Sequence, residues 1–145
     1  RSTLFPYTTL FRSPYRAERD YLTLSGGEKQ RVQFARVISQ VWEAEQGASK
    51  FIFLDEAVSH LDLKHQHQLL QIAKEFCKRQ ATVVAILHDL NLAIRYADSI
   101  LFMKEGRVVH ELVKEMPISA SVIREVFDVE SKIIYTDTNE PVIVF

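Results

Sequence analysis

Two short apolar runs, each ending in titratable residues, constrain this 145-residue chain most. Phe51-Ile52-Phe53-Leu54 runs into Asp55-Glu56, and Ala81-Thr82-Val83-Val84-Ala85-Ile86-Leu87 runs into His88-Asp89. Runs this short and this apolar read as strands buried on both faces of a parallel sheet. Open α/β sheets take ligands at the carboxyl ends of their strands, so Asp55, Glu56 and His88 fall at one functional edge. Adjacent carboxylates behind a core strand are costly unless they have a task, such as holding a metal ion. The plainer alternative for Asp55-Glu56 is an acidic pair favouring a following helix dipole. A lone histidine after a strand is usually structural, but sharing an edge with carboxylates reverses that expectation.

Upstream stands Leu24-Ser25-Gly26-Gly27-Glu28-Lys29-Gln30-Arg31. Two glycines let main-chain N–H groups approach an anion closely, and a helix start offers unpaired donors at the positive end of a dipole. Ser25 can cap that helix or bond a phosphate. The run Glu28 to Trp42 comes next, with Val32, Phe34, Ala35, Val37, Ile38 and Val41 close to helical spacing. A Ser-Gly-Gly triplet alone is an ordinary turn; here the two strand-end clusters downstream give it meaning.

Together these pieces resemble the ATP-binding cassette ATPases. Leu24, Ser25, Gly26, Gly27, Glu28 and Gln30 match that family's signature loop. Phe51 to Glu56 matches its Walker B strand and catalytic glutamate. Ser59, Leu61 and Asp62, flanking His60, resemble the D-loop, and His88 falls at the switch-histidine position. The resemblance runs from about Arg19 to the C-terminus. It implies an α/β, P-loop NTPase-like parallel-sheet core, represented here by its C-terminal half, with a small C-terminal β-flap. It also implies ATP and Mg²⁺, with Asp55 on the metal, and Glu56 and His88 as catalytic residues. The signature loop would act in trans on the opposite subunit's nucleotide, and Ser59, Leu61 and Asp62 would lie at the dimer interface. One departure is that Ala57-Val58 come after Glu56 where the family usually has Pro-Thr; neither lost group does the chemistry.

The family's nucleotide grip needs two glycines five apart, Gly-x-x-x-x-Gly-Lys-Ser/Thr. Gly26, Gly27, Gly47 and Gly106 are the four glycines, and no pair has that separation. The chain is therefore expected to be residues 14–145 of cassette sequence without its P-loop, inactive alone. Residues 1–13 carry Thr-Leu-Phe twice, six residues apart, and read as translated sequencing adapter. The alternative is a genuine extended segment, since Thr, Tyr and Phe favour strands.

Several strings lean toward the bacterial haem and iron-chelate importers within the family. They are Arg36 to Trp42, Leu61 to His67, and His88-Asp89-Leu90-Asn91-Leu92-Ala93-Ile94-Arg95-Tyr96-Ala97-Asp98. That resemblance implies a second ATPase subunit, transmembrane permease subunits and, indirectly, a periplasmic haem- or chelate-binding protein. The expected place is the cytoplasmic face of the bacterial inner membrane, peripherally bound. A formal net charge of −1 gives no electrostatic case for nucleic acid. A soluble cassette in DNA repair or translation would show long charged coiled coils or a basic face, and neither occurs. A non-catalytic interaction fragment, completing another chain's site through Ser25 to Gln30, is the remaining alternative.

Elsewhere the pattern predicts a loop at Gln46–Ser49 and helices Leu63–Arg79, Leu90–Tyr96 and Ala120–Phe127. A hairpin is expected from Ser99–Met103, the turn Lys104-Glu105-Gly106, and Arg107–Glu111. Strand-like Lys132–Tyr135 and Val142–Phe145 flank a turn at Asp137-Thr138-Asn139. His65 and His67, two apart on a helix, point to nearly opposite sides and cannot share one ligand. They are assigned to a solvated face or to a permease contact, and His60 and His110 to structural roles. Cys77, alone, is expected to be inert.

Overall fold

The computed structural model describes residues 20–42, 49–59, 61–114 and 116–145. The adapter-like segment 1–13, most of the Gln46–Ser49 loop and His60 lie outside these described residues. The chain divides into two compact units, one ending at His88 and one running from Asp89 to Phe145.

In the first unit a 3₁₀ turn, Tyr21–Thr23, leads into helix α1 (Gly26–Trp42). Phe34 and Ile38, four apart, form its buried stripe. Strand β1 (Lys50–Asp55), helix α2 (Leu63–Cys77) and strand β2 (Ala81–Ile86) make a parallel β-α-β unit. The register runs from Lys50 opposite Ala81 to Asp55 opposite Ile86. Asp62 caps α2, and Leu69, Ile72, Ala73 and Phe76 recur at helical spacing on its buried face. The helix stops at Cys77, short of Arg79. Arg79 N–H donates to the Phe76 carbonyl and Gln80 N–H to that of Cys77, and Gln80 then turns left-handed at φ 63°. That tight last turn is the usual way of satisfying terminal carbonyls.

The expectation that both strands would be buried on both faces is corrected. Ile52 and Leu54 are buried, but Phe51 and Phe53 on the opposite face are exposed. Their neighbours in β2, Thr82, Val84 and Ile86, are exposed too. Alternation along a strand explains this: helices cover one side of the pair, and no described element covers the other.

In the second unit helix α3 (Leu90–Tyr96) precedes a hairpin of strands β3 (Ser99–Lys104) and β4 (Arg107–Val113). Glu105 and Gly106 form its two-residue loop, both with positive φ (51° and 75°), the geometry that fits a hairpin's twist. A bulge interrupts the register between Phe102 and Met103. Ser119 caps helix α4 (Ala120–Phe127), and strands β5 (Lys132–Tyr135) and β6 (Pro141–Val144) close the chain as an antiparallel pair. The core is Phe102, Ile118, Ile123, Val126 and Ile143. The Phe127 ring stands edge-on to Phe102, centroids 6.2 Å apart. Asn91 acts as an extra strand edge: its Oδ1 accepts from Ile143 N–H (2.8 Å), and its Nδ2 donates to the Ile143 carbonyl (3.1 Å). Among the described residues, no helix is long and apolar enough to cross a membrane.

Candidate functional site

The glycine loop before α1 is held by a reciprocal cap. Glu28 N–H donates to Ser25 Oγ (3.3 Å), and Ser25 N–H donates to Glu28 Oε2 (2.9 Å). Ser25 and Gly26 are solvent-exposed, and a Cβ built on Gly26 would meet nothing within 4 Å. The backbone there is open to an approaching anion. Tyr21 braces this start from the preceding turn: its hydroxyl accepts from Gln33 Nε2 (3.0 Å), and Lys29 Nζ lies 5.8 Å from its ring centroid. Gln30 Oε1 is buried without a hydrogen-bond partner.

At the carboxyl end of β1 the chain turns sharply. Asp55 is exposed on the same face as Phe51 and Phe53, and Glu56 takes a left-handed φ of 46°. Ser59 holds the turn, its hydroxyl and its N–H both donating to the Glu56 carbonyl. Leu61 N–H reaches the Val58 carbonyl (3.1 Å), which also accepts from Gln66 Nε2 (3.1 Å). The loop is thereby tied to the first turns of α2.

The turn aims Glu56 at His88, just beyond β2. Glu56 Oε1 and His88 Nε2 are 2.8 Å apart, and both side chains are more than half exposed. An exposed pair of this kind adds little to stability. It does bring a carboxylate and an imidazole together at the carboxyl edge of a parallel sheet, where open α/β sheets take their ligands.

Asp62 has a structural job as well as an exposed carboxylate. Its Oδ1 accepts from His65 N–H (2.9 Å) and lies 2.7 Å from His65 Nδ1. The hydrogen bond from the His65 backbone chiefly holds the Asp62 carboxyl below its ordinary 3.8. Against a desolvation cost, the His65 ring and the Arg31 guanidinium pull the same way. His65 is therefore the partner of Asp62 in an exposed pair at the start of α2. An Asp at an N-cap with a histidine three residues on was a readable signal for this pair. The effect of Arg31 is not legible in the sequence, because only the fold brings α1 near the start of α2.

Asp55 supplies one exposed carboxylate of the kind that could hold a magnesium ion. Mg²⁺ keeps several waters and takes one or two protein carboxylates plus substrate phosphates. The described residues hold no cluster of three or more His, Cys, Asp or Glu able to bind a metal, so phosphate oxygens would have to complete the shell.

No family model matches the chain. The hemin import ATP-binding protein of Hahella chejuensis is 43% identical over 129 residues, covering 88% of this chain and 50% of that protein. The protein of the same name from Mesorhizobium japonicum is 50% identical over 113 residues, 77% of this chain and 43% of its own length. The chain belongs to the ATP-binding cassette ATPases. This cassette sequence spans about half the length of the curated relatives it matches. Among solved structures, a metal-chelate type ABC transporter in an inward-facing conformation superposes with a TM-score of 0.72. It covers 95% of this chain and 55% of its own, at 22% identity, a likeness of fold alone. A dimeric cassette in a post-hydrolysis state bound to ADP and phosphate gives a TM-score of 0.60 at 29% identity, covering 70% of this chain and 40% of its own. The α/β, P-loop NTPase-like class expected from the motifs agrees with these neighbours.

Proposed function

We propose that this chain is the C-terminal half of the ATP-hydrolysing subunit of a bacterial importer for haem or an iron chelate. The observation that carries the reading is the Glu56–His88 pair, held 2.8 Å apart at the strand ends of a β-α-β unit. The names of the relatives, at 40–50% identity, supply the substrate class.

Phosphoryl transfer to water is mainly positioning and charge stabilisation. Glu56 Oε1 orients the attacking water and takes its proton. His88 steadies that carboxylate and offers a hydrogen bond to the terminal phosphate. Asp55 would hold Mg²⁺, which neutralises developing phosphate charge. Ser25 and the Gly26 and Gly27 amides grip the phosphate bound by an opposing subunit, with Leu24, Glu28 and Gln30 shaping the loop. Ser59 and Asp62, both exposed, face that subunit, whereas Leu61, expected beside them, is buried and supports the loop from within. Two such subunits closing on ATP drive the permease they are attached to at the cytoplasmic face of the membrane, and a periplasmic haem- or chelate-binding protein delivers the cargo.

The test has two arms. The purified chain, which has no glycine pair five apart, shows neither micromolar ATP affinity by calorimetry nor steady phosphate release. In a complete cassette carrying this sequence, Glu56→Gln cuts turnover at least about 100-fold while ATP binding stays intact. Wild-type turnover in that variant refutes the role given to Glu56.

A further inference from the structure

We infer that Gln66, in the first turns of α2, is a positioning residue that holds the backbone corner at Glu56 and so keeps its carboxylate against His88. The inference rests on the reading of Glu56 as the base that activates water. It adds where the orientation of that base comes from.

The pair cannot supply its own orientation. The side chains of His88 and Glu56 are 68% and 53% exposed, and an ion pair so wet is worth less than a left-handed backbone costs a glutamate. The φ of 46° at Glu56 is therefore held from elsewhere. The next two residues do not stiffen it by their own chemistry. Ala57 and Val58 stand where the family usually has Pro-Thr, so the fixed φ of a proline and the hydroxyl of a threonine are both missing.

Hydrogen bonds take over. Residues 56 to 59 form a turn closed by Ser59, whose N–H and hydroxyl both donate to the Glu56 carbonyl. Val58 lies inside that turn with its side chain buried. Its carbonyl receives two donors, Leu61 N–H and Gln66 Nε2, each at 3.1 Å. The first is local; the second comes from eight residues further on, is partly buried, and fastens the turn to a helix. That helix is a firm anchor, since Leu69, Leu70 and Ile72 are buried one turn and more beyond Gln66. With the Glu56 carbonyl held at one end and the Val58 carbonyl at the other, the chain between them has little room to relax out of the left-handed corner. His65, the neighbouring residue, turns its ring to Asp62 instead, 2.7 Å away. The first turns of α2 thus reach back to the loop twice, and Gln66 takes the Glu56 side.

The experiment uses the full chain and reads the ring nitrogens of His88 by NMR, with helical circular dichroism to verify that each variant folds. Glu56→Gln supplies the reference signal of a ring without its carboxylate partner. Gln66→Glu keeps the size of the side chain but sets an acceptor against the Val58 carbonyl, and it moves the His88 signal most of the way to that reference. Gln66→Met repeats the loss of the donor without adding a charge. Gln66→Lys, which can still donate, keeps the wild-type signal. Ile72→Val weakens α2 from its buried face and leaves the His88 signal in place. A His88 signal unmoved by Gln66→Glu and Gln66→Met overturns the inference, as does an equal movement in Gln66→Lys or Ile72→Val. In a complete cassette carrying this sequence, Gln66→Glu lowers kcat about 10-fold with KM for ATP unchanged. An unchanged kcat also overturns the inference. Wild-type turnover in Glu56→Gln refutes the base instead, and the ring signals still decide whether Gln66 holds the corner.

Discussion

The unit ending at His88 and the unit from Asp89 to Phe145 meet the same demand, burying apolar side chains, by opposite means. In the second, each strand pairs with its sequence neighbour through a short turn, and α4 packs its buried stripe, Ile123 and Val126, with Phe102, Ile118 and Ile143. In the first, β1 and β2 are parallel, so a full helix must intervene and the sheet acquires two faces to cover. Among the described residues, only one is covered. Antiparallel hairpins can finish a small core with local contacts; a parallel pair depends on chain from further away.

Core truncation gives the sharpest test of that contrast. Ile123 is fully buried in the second unit and Leu69 in the first. Ile123→Ala and Leu69→Ala are each expected to cost about 3 kcal/mol. Amide exchange should show the loss confined to the unit that carries the substitution. Loosening of both units by either variant breaks the division.

The two faces of β1 come next. Ile52→Ala should cost about 3 kcal/mol, because Ile52 is 1% exposed. Phe53→Ser, one residue along, should move stability by no more than about 0.5 kcal/mol in chemical denaturation. A large loss for Phe53→Ser would mean that its face is covered after all.

Asn91→Ala ranks third. It leaves the Ile143 N–H and carbonyl without their side-chain partner, for a loss of about 1 kcal/mol. Faster exchange of β6 amides, with α2 unchanged, is the expected readout. Ser25→Ala removes the α1 cap at a comparable cost of about 1 kcal/mol, read as fraying of the first turn of α1.

The smallest expected effect is a pH dependence. The carboxyl of Asp62 is depressed in the folded chain below 3.8. Its ionised form therefore favours folding above that value, and the contribution fades as pH falls through the folded value. Asp62→Asn should flatten the acid limb of α2 unfolding, as pH falls below about 5, relative to wild type. An unchanged limb would remove the role assigned to the Asp62–His65 pair.

Local signals were legible wherever local chemistry decides structure. The apolar helical stripe of 120–127 marked α4, and the turn Lys104-Glu105-Gly106 marked the β3–β4 hairpin, because short helices and turns are set by a few adjacent residues. Asp55, Glu56 and His88 could be placed at strand ends because the apolar runs stop there. What escaped depends on partners distant in sequence. Phe51 and Phe53 look like core residues in any window, and only the packing shows that one face of their strand meets no described helix. The 2.8 Å approach of Glu56 to His88 and the nearness of Arg31 to Asp62 likewise require the folded chain. His65 is different: its partner Asp62 stands three residues upstream, at the helix cap, so that pair is local and readable.

The left-handed backbone at Glu56 has a wider meaning. Such a φ costs a non-glycine residue about 1–2 kcal/mol, and glycine would adopt it freely. Selection for sturdiness alone would put glycine at position 56 and erase the carboxylate. On the role proposed for Glu56, the strained corner marks where stability and chemistry pull apart, and a stabilising screen run blind on this sequence would remove the carboxylate there first.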